Sequence, residues 1–97
     1  MRFVDPEQIE VPAGESFVVA LSGNGVGGYL WETEELPTPL RLLEERDVEP
    51  AEVIPGAGGS KEFELVSDAG EATARFALRR SWEQEPGRTV AVRVRAH

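Results

Sequence analysis

Apolar residues recur at every second position through much of this chain. Between Ser16 and Ser22, Phe17, Val19 and Leu21 share one face, and from Ala72 to Arg79 the facing set is Ala72, Ala74, Phe76 and Leu78. Near the end Val90, Val92, Val94 and Ala96 alternate with Ala91, Arg93, Arg95 and His97. Successive side chains of an extended chain point to opposite faces, so a period of two predicts half-buried β-strands. Shorter candidates are Arg2 to Val4, Gln8 to Val11, Tyr29 to Thr33 and Lys61 to Val66. The last of these turns Phe63 and Leu65 inward and leaves Glu62 and Glu64 to water. The stretch "LRLLEERDVE" is rich in good helix formers. Among seven or eight strands a single helix has no place, so Leu40 to Val48 is predicted to be a bulged strand.

Turn residues separate these segments at "PAGE", "SDAG" and "EPGR", where Gly, Pro, Asp and Ser supply the required backbone angles. Short alternating strands broken by such turns predict an all-β sandwich or barrel. No repeat, linker or low-complexity tract divides it, so residues 1–97 read as one domain. Three connections are longer than a hairpin needs: "SGNGVGG" before Tyr29, "IPGAGGS" before Lys61 and "RRSWEQEPG" before Arg88. Alternate connections of a Greek-key sandwich emerge at the same end, which predicts that these three cluster. Clustered loops on a rigid scaffold are where such a fold places a binding surface.

Composition narrows the function classes. The chain of 97 residues is long enough to bury a core without covalent staples. With 18 acids against 10 bases the net charge is −8. That excludes nucleic acid as a partner, because phosphate neutralisation by Lys and Arg supplies most of such affinity. The acidity serves solubility or steers the protein toward a basic partner. There is no cysteine, hence no need of an oxidising compartment. The longest apolar run, "FVVAL", is too short for membrane insertion. "MRFVDPEQIE" has no apolar signal core, so the chain as given reads as cytoplasmic, or as periplasmic or secreted where a leader has been removed. A monomer is expected.

Candidate chemistry is sparse. Gly23, Gly25 and Gly28 have the G-x-G-x-x-G spacing of a dinucleotide loop. That loop needs a following helix whose amides face the pyrophosphate, and Pro37 and Pro39 leave no room for one after Tyr29. The only histidine is His97, and no Ser or acid has an identifiable base partner, so an enzyme is not predicted. Glu44, Glu45, Asp47 and Glu49 lack the ligand spacing and bend glycine of a Ca²⁺ loop and read as a solvated face. No cofactor or metal is called for.

At the three long loops the chain resembles the chagasin-like inhibitors of papain-type cysteine proteases, a family of small immunoglobulin-like Greek-key β-sandwiches. The family's first loop carries Asn-Pro-Thr-Thr-Gly, then an aromatic residue and Trp, and "NGVGGYLW", Asn24 to Trp31, stands in that place. Its second carries Gly-x-Gly-Gly before a strand with Phe, matched by "GAGGSKEF", Gly56 to Phe63. Its third carries Arg-Pro-Trp, here "RSW", Arg80 to Trp82. The resemblance runs from about Val11 to His97 and departs from the family at Gly25, Val26 and Gly27, which replace Pro-Thr-Thr, and at Ser81, which replaces Pro.

The resemblance implies an all-β fold of seven to eight strands and a partner that is a papain-type cysteine protease. It implies a wedge in which Asn24, Gly25, Val26, Gly27 and Gly28 meet the catalytic cysteine, while Gly56, Ala57, Gly58, Gly59, Arg80, Ser81 and Trp82 grip the cleft walls. Trp82, flanked by Arg80, Ser81, Glu83 and Gln84, is the anchor candidate, because Trp and Arg are enriched at interface hot spots. Trp31, on a strand with Tyr29, is assigned to packing. Arg80 either pairs with an acid of its own loop, such as Glu83, or reaches the protease. Gly27 lacks the threonine side chain of the family, and a free glycine loop loses entropy on ordering, which predicts that Gly27→Thr strengthens binding. The competing function is a non-inhibitory binding module that uses the same three loops.

Overall fold

The computed structural model describes residues 1–49 and 58–97. Within them the alternating segments form eight strands: β1 (Arg2–Val4), β2 (Gln8–Val11), β3 (Phe17–Asn24), β4 (Leu30–Glu35), β5 (Leu40–Val48), β6 (Gly59–Ser67), β7 (Gly70–Arg79) and β8 (Arg88–Ala96). They make two four-stranded sheets, ordered β1-β3-β6-β5 and β2-β8-β7-β4. This is the expected all-β sandwich, and among the described residues no helix is long and apolar enough to cross a membrane.

Period two becomes packing in the space between the sheets. Phe17, Val19 and Leu21 of β3, Phe63 and Leu65 of β6, Ala74 and Phe76 of β7 and Val92 and Val94 of β8 are all buried in one cluster. Phe63 and Phe76 span the two sheets with ring centroids 4.7 Å apart and planes tilted by 43°. Each fully buried Phe contributes about 1.5–3 kcal/mol by leaving water, and a tilted ring pair adds roughly 0.5–1.5 kcal/mol. Trp31 is part of the same cluster, and its indole Nε1 donates to the Ser22 carbonyl at 2.9 Å. Burying a Trp requires a partner for that N–H. The assignment of Trp31 to packing is therefore correct.

Two features refine the sequence reading. The segment Leu40–Val48 is a strand with a register shift between Leu42 and Glu44 against β6, the bulge expected where β-pairing overrides helix propensity. Glu62, expected to face water, is instead covered, with its side chain 13 % exposed. Arg2 on β1 and Arg46 on β5 close over it from either side, at 2.7 and 2.8 Å. A carboxylate between two guanidiniums binds both as charge-assisted hydrogen bonds.

The N-terminal segment uses parallel pairing. β1 runs parallel to β3 in one sheet and β2 runs parallel to β8 in the other. The chain changes sheet at Asp5, whose φ is 47° and whose carboxylate accepts from the Ser22 backbone N–H at 3.0 Å and hydroxyl at 2.7 Å. An Asp tolerates positive φ because its short side chain bonds locally. Three connections then leave the sandwich at the same end: β3 to β4, β5 to β6, and β7 to β8. The pairings Asn24↔Gly59, Val48↔Ser60, Leu30↔Arg79 and Leu78↔Arg88 place the roots of all three side by side.

Candidate protease-facing site

The first loop is built by a bulge and three glycines. Register slips between Ser22 and Asn24 at Gly23, whose φ is 90°. One extra residue reverses the alternation, so Asn24 turns inward and is 7 % exposed. Both ends of its amide are then engaged. Nδ2 donates to Asp47 Oδ1 of β5 at 3.0 Å, and Oδ1 accepts from the Trp31 backbone N–H of β4 at 2.9 Å. One side chain thus ties the base of the first loop to strands of both sheets.

Beyond Asn24 the chain makes a tight turn. Gly25 N donates to the Tyr29 carbonyl at 2.6 Å, Tyr29 N donates to the Val26 carbonyl at 3.1 Å, and Val26–Gly28 form one 3₁₀ turn between these bonds. Gly25, Gly27 and Gly28 have φ of 91°, 61° and 82°. Only glycine adopts such angles without steric cost, and a β-branched residue there is strained. A threonine at Gly27, expected from the sequence to strengthen binding, would meet strain here, because the loop is a closed turn with a conformation of its own. Val26 projects from it, exposed.

The second loop meets the first at Gly58. A Cβ on Gly58 would collide with the Val26 side chain and stand 3.2 Å from the Asn24 carbonyl oxygen. Gly59 pairs with Asn24 at the start of β6, and a Cβ there would strike the Val48 carbonyl. Both glycines permit close backbone approach. Gly56 and Ala57 lie outside the described residues.

The third loop closes over the other side of the first. Glu83 N donates to the Arg80 carbonyl at 3.1 Å, making a turn at Arg80, Ser81 and Trp82, and Gly87 N returns to the Leu78 carbonyl at 2.9 Å. Ser81 is exposed, and Trp82 is 68 % exposed, the most exposed large hydrophobic residue of the described chain. Its indole lies against Gly28, where a Cβ would stand 2.8 Å from Trp82 Cη2. Arg80 takes the first of its two expected partners, with Nη1 3.0 Å from Glu83 Oε1. Its guanidinium carbon also lies 4.3 Å from the Tyr29 ring centroid and 5.7 Å from that of Trp82.

The described candidate residues thus come together at one end of the sandwich, with distinct tasks. Val26, Ser81 and Trp82 face outward, Gly25, Gly27, Gly28, Gly58 and Gly59 shape the backbone, and Asn24 supports from beneath. Sequence reasoning missed Tyr29 and Gly87 as parts of the site. Gly87 packs under Tyr29, where a Cβ would stand 2.6 Å from the ring. The signal for Gly87 was the "EPGR" turn, and nothing in the sequence marks Tyr29 as the seat of Arg80.

Electrostatics at the loop roots are local. Hydrogen bonding from Lys61, supported by its charge and by Asn24, holds the Asp47 carboxyl below its ordinary value. Glu44, Glu45 and Asp47 are engaged by Arg46 and Lys61.

Comparison with known proteins gives the same outline. Residues 10–94 match the family model described as chagasin family peptidase inhibitor I42. No curated protein matches the chain by sequence. Among solved structures the chain is similar to the cysteine protease inhibitor EhICP2 from Entamoeba histolytica, with a TM-score of 0.78 and 20 % identity over 99 % of this chain and 94 % of that one. It is similar to amebosin at 0.75 and 23 %, over 99 % and 96 %. A third, PbICP-C in complex with falcipain-2, gives 0.50 and 16 %, over 100 % and 90 %. At these identities the likeness to solved structures shows a shared fold.

Proposed function

This chain belongs to the chagasin family of peptidase inhibitors, and on that premise we propose that it is a reversible inhibitor of papain-type cysteine proteases that presents its three clustered loops to the active-site cleft. The observation that carries the reading is the exposed Trp82 braced against the first loop at Gly28. A soluble domain gains nothing from a Trp held in water, whereas an aromatic anchor on a rigid support is the usual centre of a binding hot spot.

In this reading the first loop stands over the catalytic cysteine, with Gly25, Val26, Gly27 and Gly28 as its tip. Asn24 positions that tip from below. Gly58 and Gly59, with Gly56 and Ala57, carry the second loop along one wall, and Ser81 and Trp82 grip the other. The glycines keep side chains away from the backbone that approaches the protease. The inhibitor supplies no nucleophile and no cofactor, and it blocks the cleft by occupying it. The similar fold of PbICP-C, recorded in complex with falcipain-2, supports the choice of partner.

The test is steady-state inhibition of papain at several concentrations of a peptide substrate. Competitive inhibition at submicromolar concentration supports the proposal. Silence against papain and several relatives assigns the loops to a non-inhibitory binding module instead.

A further inference from the structure

We infer that Arg80 is a positioning residue that locks the first and third loops into one body before any partner arrives, acting through Tyr29 and Trp82 and not by touching the protease. The inference rests on the reading of Trp82 as cleft-facing, and it reassigns Arg80 within that site.

Every group of the Arg80 head is turned toward its own chain. The guanidinium carbon lies 4.3 Å from the Tyr29 centroid and 5.7 Å from the Trp82 centroid. Nη1 reaches Glu83 Oε1 at 3.0 Å. Nη2 faces the first loop, 3.6 Å from where a Cβ on Gly27 would stand. Nε is shielded from solvent and has no hydrogen-bond partner among the described residues. A guanidinium held against an aromatic face and paired to a carboxylate through Nη1 is engaged by its own chain in two ways. The Arg80 side chain is 32 % exposed, in contrast to the 68 % of Trp82 beside it.

The placement explains how a Trp in water is kept in one orientation. Tyr29 is the residue that closes the first loop, accepting from Gly25 N and donating to the Val26 carbonyl. Arg80 stacks on that ring, Glu83 holds Arg80, and Trp82 extends from the same turn onto Gly28. The tip of the first loop and the anchor of the third are therefore coupled through a single cation. Side chains ordered before association need not be ordered during it, so the lock raises affinity without adding a contact to the partner.

Two readouts separate positioning from contact. The first is a double-mutant cycle on papain inhibition with Arg80→Ala, Tyr29→Leu and both together, with melting checked for each. Arg80→Ala is expected to weaken inhibition roughly tenfold, a size typical of one side chain's ordering. If Arg80 acts through Tyr29, the double variant inhibits no more weakly than the weaker single variant. If the two losses multiply, Arg80 acts independently of Tyr29 and the inference is overturned.

The second readout needs no protease. The nanosecond order parameter of the Trp82 indole N–H, measured by NMR on the free protein, is expected to fall in Arg80→Ala while that of buried Trp31 stays unchanged. An unchanged Trp82 order parameter overturns the lock. Because this measurement is made on the free chain, it stands even where wild type fails to inhibit papain, and the two failures are told apart.

Discussion

The indole of Trp82 lies so close to Gly28 that a Cβ there would stand 2.8 Å from Cη2. The contact joins the end of the third loop to the end of the first, across a position that also has φ of 82°. Gly28→Ala must therefore both strain the turn and push the indole away. Strain at a positive φ costs about 1–3 kcal/mol, but this turn is exposed and can relax. The expected outcome is a modest fall in melting temperature and a loss of papain inhibition of tenfold or more. Inhibition and melting measured on the same preparation check it.

Gly27→Thr is expected to weaken inhibition. A β-branched residue at φ of 61° is strained, and its side chain would approach Arg80 Nη2. Replacing Gly25, Val26 and Gly27 together by Pro-Thr-Thr is expected to weaken it further, since proline fixes φ near −65° where Gly25 has 91°. Inhibition constants for wild type and both variants against one protease decide this. Stronger inhibition by either variant would show that the closed turn is not the binding conformation.

Asn24→Ala removes the acceptor of the buried Trp31 N–H and the donor to Asp47. An unsatisfied buried donor costs about 1–3 kcal/mol, which lowers the melting temperature of a domain this size by roughly 4–8 °C per kcal/mol. Asn24→Asp keeps an acceptor for Trp31 but sets a carboxylate against Asp47, so it is expected to destabilise as well. Thermal denaturation of both variants checks the assignment of Asn24 to support.

Acid stability should report two ion-pair groups of the first sheet, Glu62 with Arg2 and Arg46 on its outer face and Asp47 with Lys61 at the loop roots. Hydrogen bonds from Arg2 and then Arg46 hold the Glu62 carboxyl below its ordinary value of 4.5, and Lys61 holds Asp47 below its ordinary value of 3.8. Carboxyls depressed in the folded state contribute stability that is fully present above their unfolded values and is lost as pH falls through the folded ones. The melting temperature is expected to be level near neutrality and to drop below about pH 4.5. In Glu62→Gln the acid drop is expected to be smaller, from a lower neutral starting point. An acid limb identical to that of wild type would remove Glu62 from the account.

The scaffold was legible because period two and turn chemistry are local. Leu40–Val48 was recognisable as a strand only by its place among the others, since its residues favour a helix in isolation. Glu62 was misread because its cover comes from Arg2 and Arg46, far apart in sequence and brought together by the order β1-β3-β6-β5. The clustering of the loops could be read from the alternation of strand direction. Their internal geometry could not: the closed turn at Gly25, Gly27 and Gly28 depends on backbone angles that a glycine run permits but does not dictate. The seat of Arg80 on Tyr29 depends in turn on that turn being closed.

The most direct test of the three-loop account is an amide chemical-shift map of isotope-labelled protein titrated with papain whose catalytic thiol is blocked by a small group. The account predicts perturbations concentrated at Asn24 to Gly28, at Gly58 and Gly59, and at Arg80 to Trp82, including the Trp82 indole N–H, with the Trp31 indole shifting less. Perturbations centred on the exposed edge of β5, or saturable binding that leaves the Trp82 indole unmoved, would contradict it.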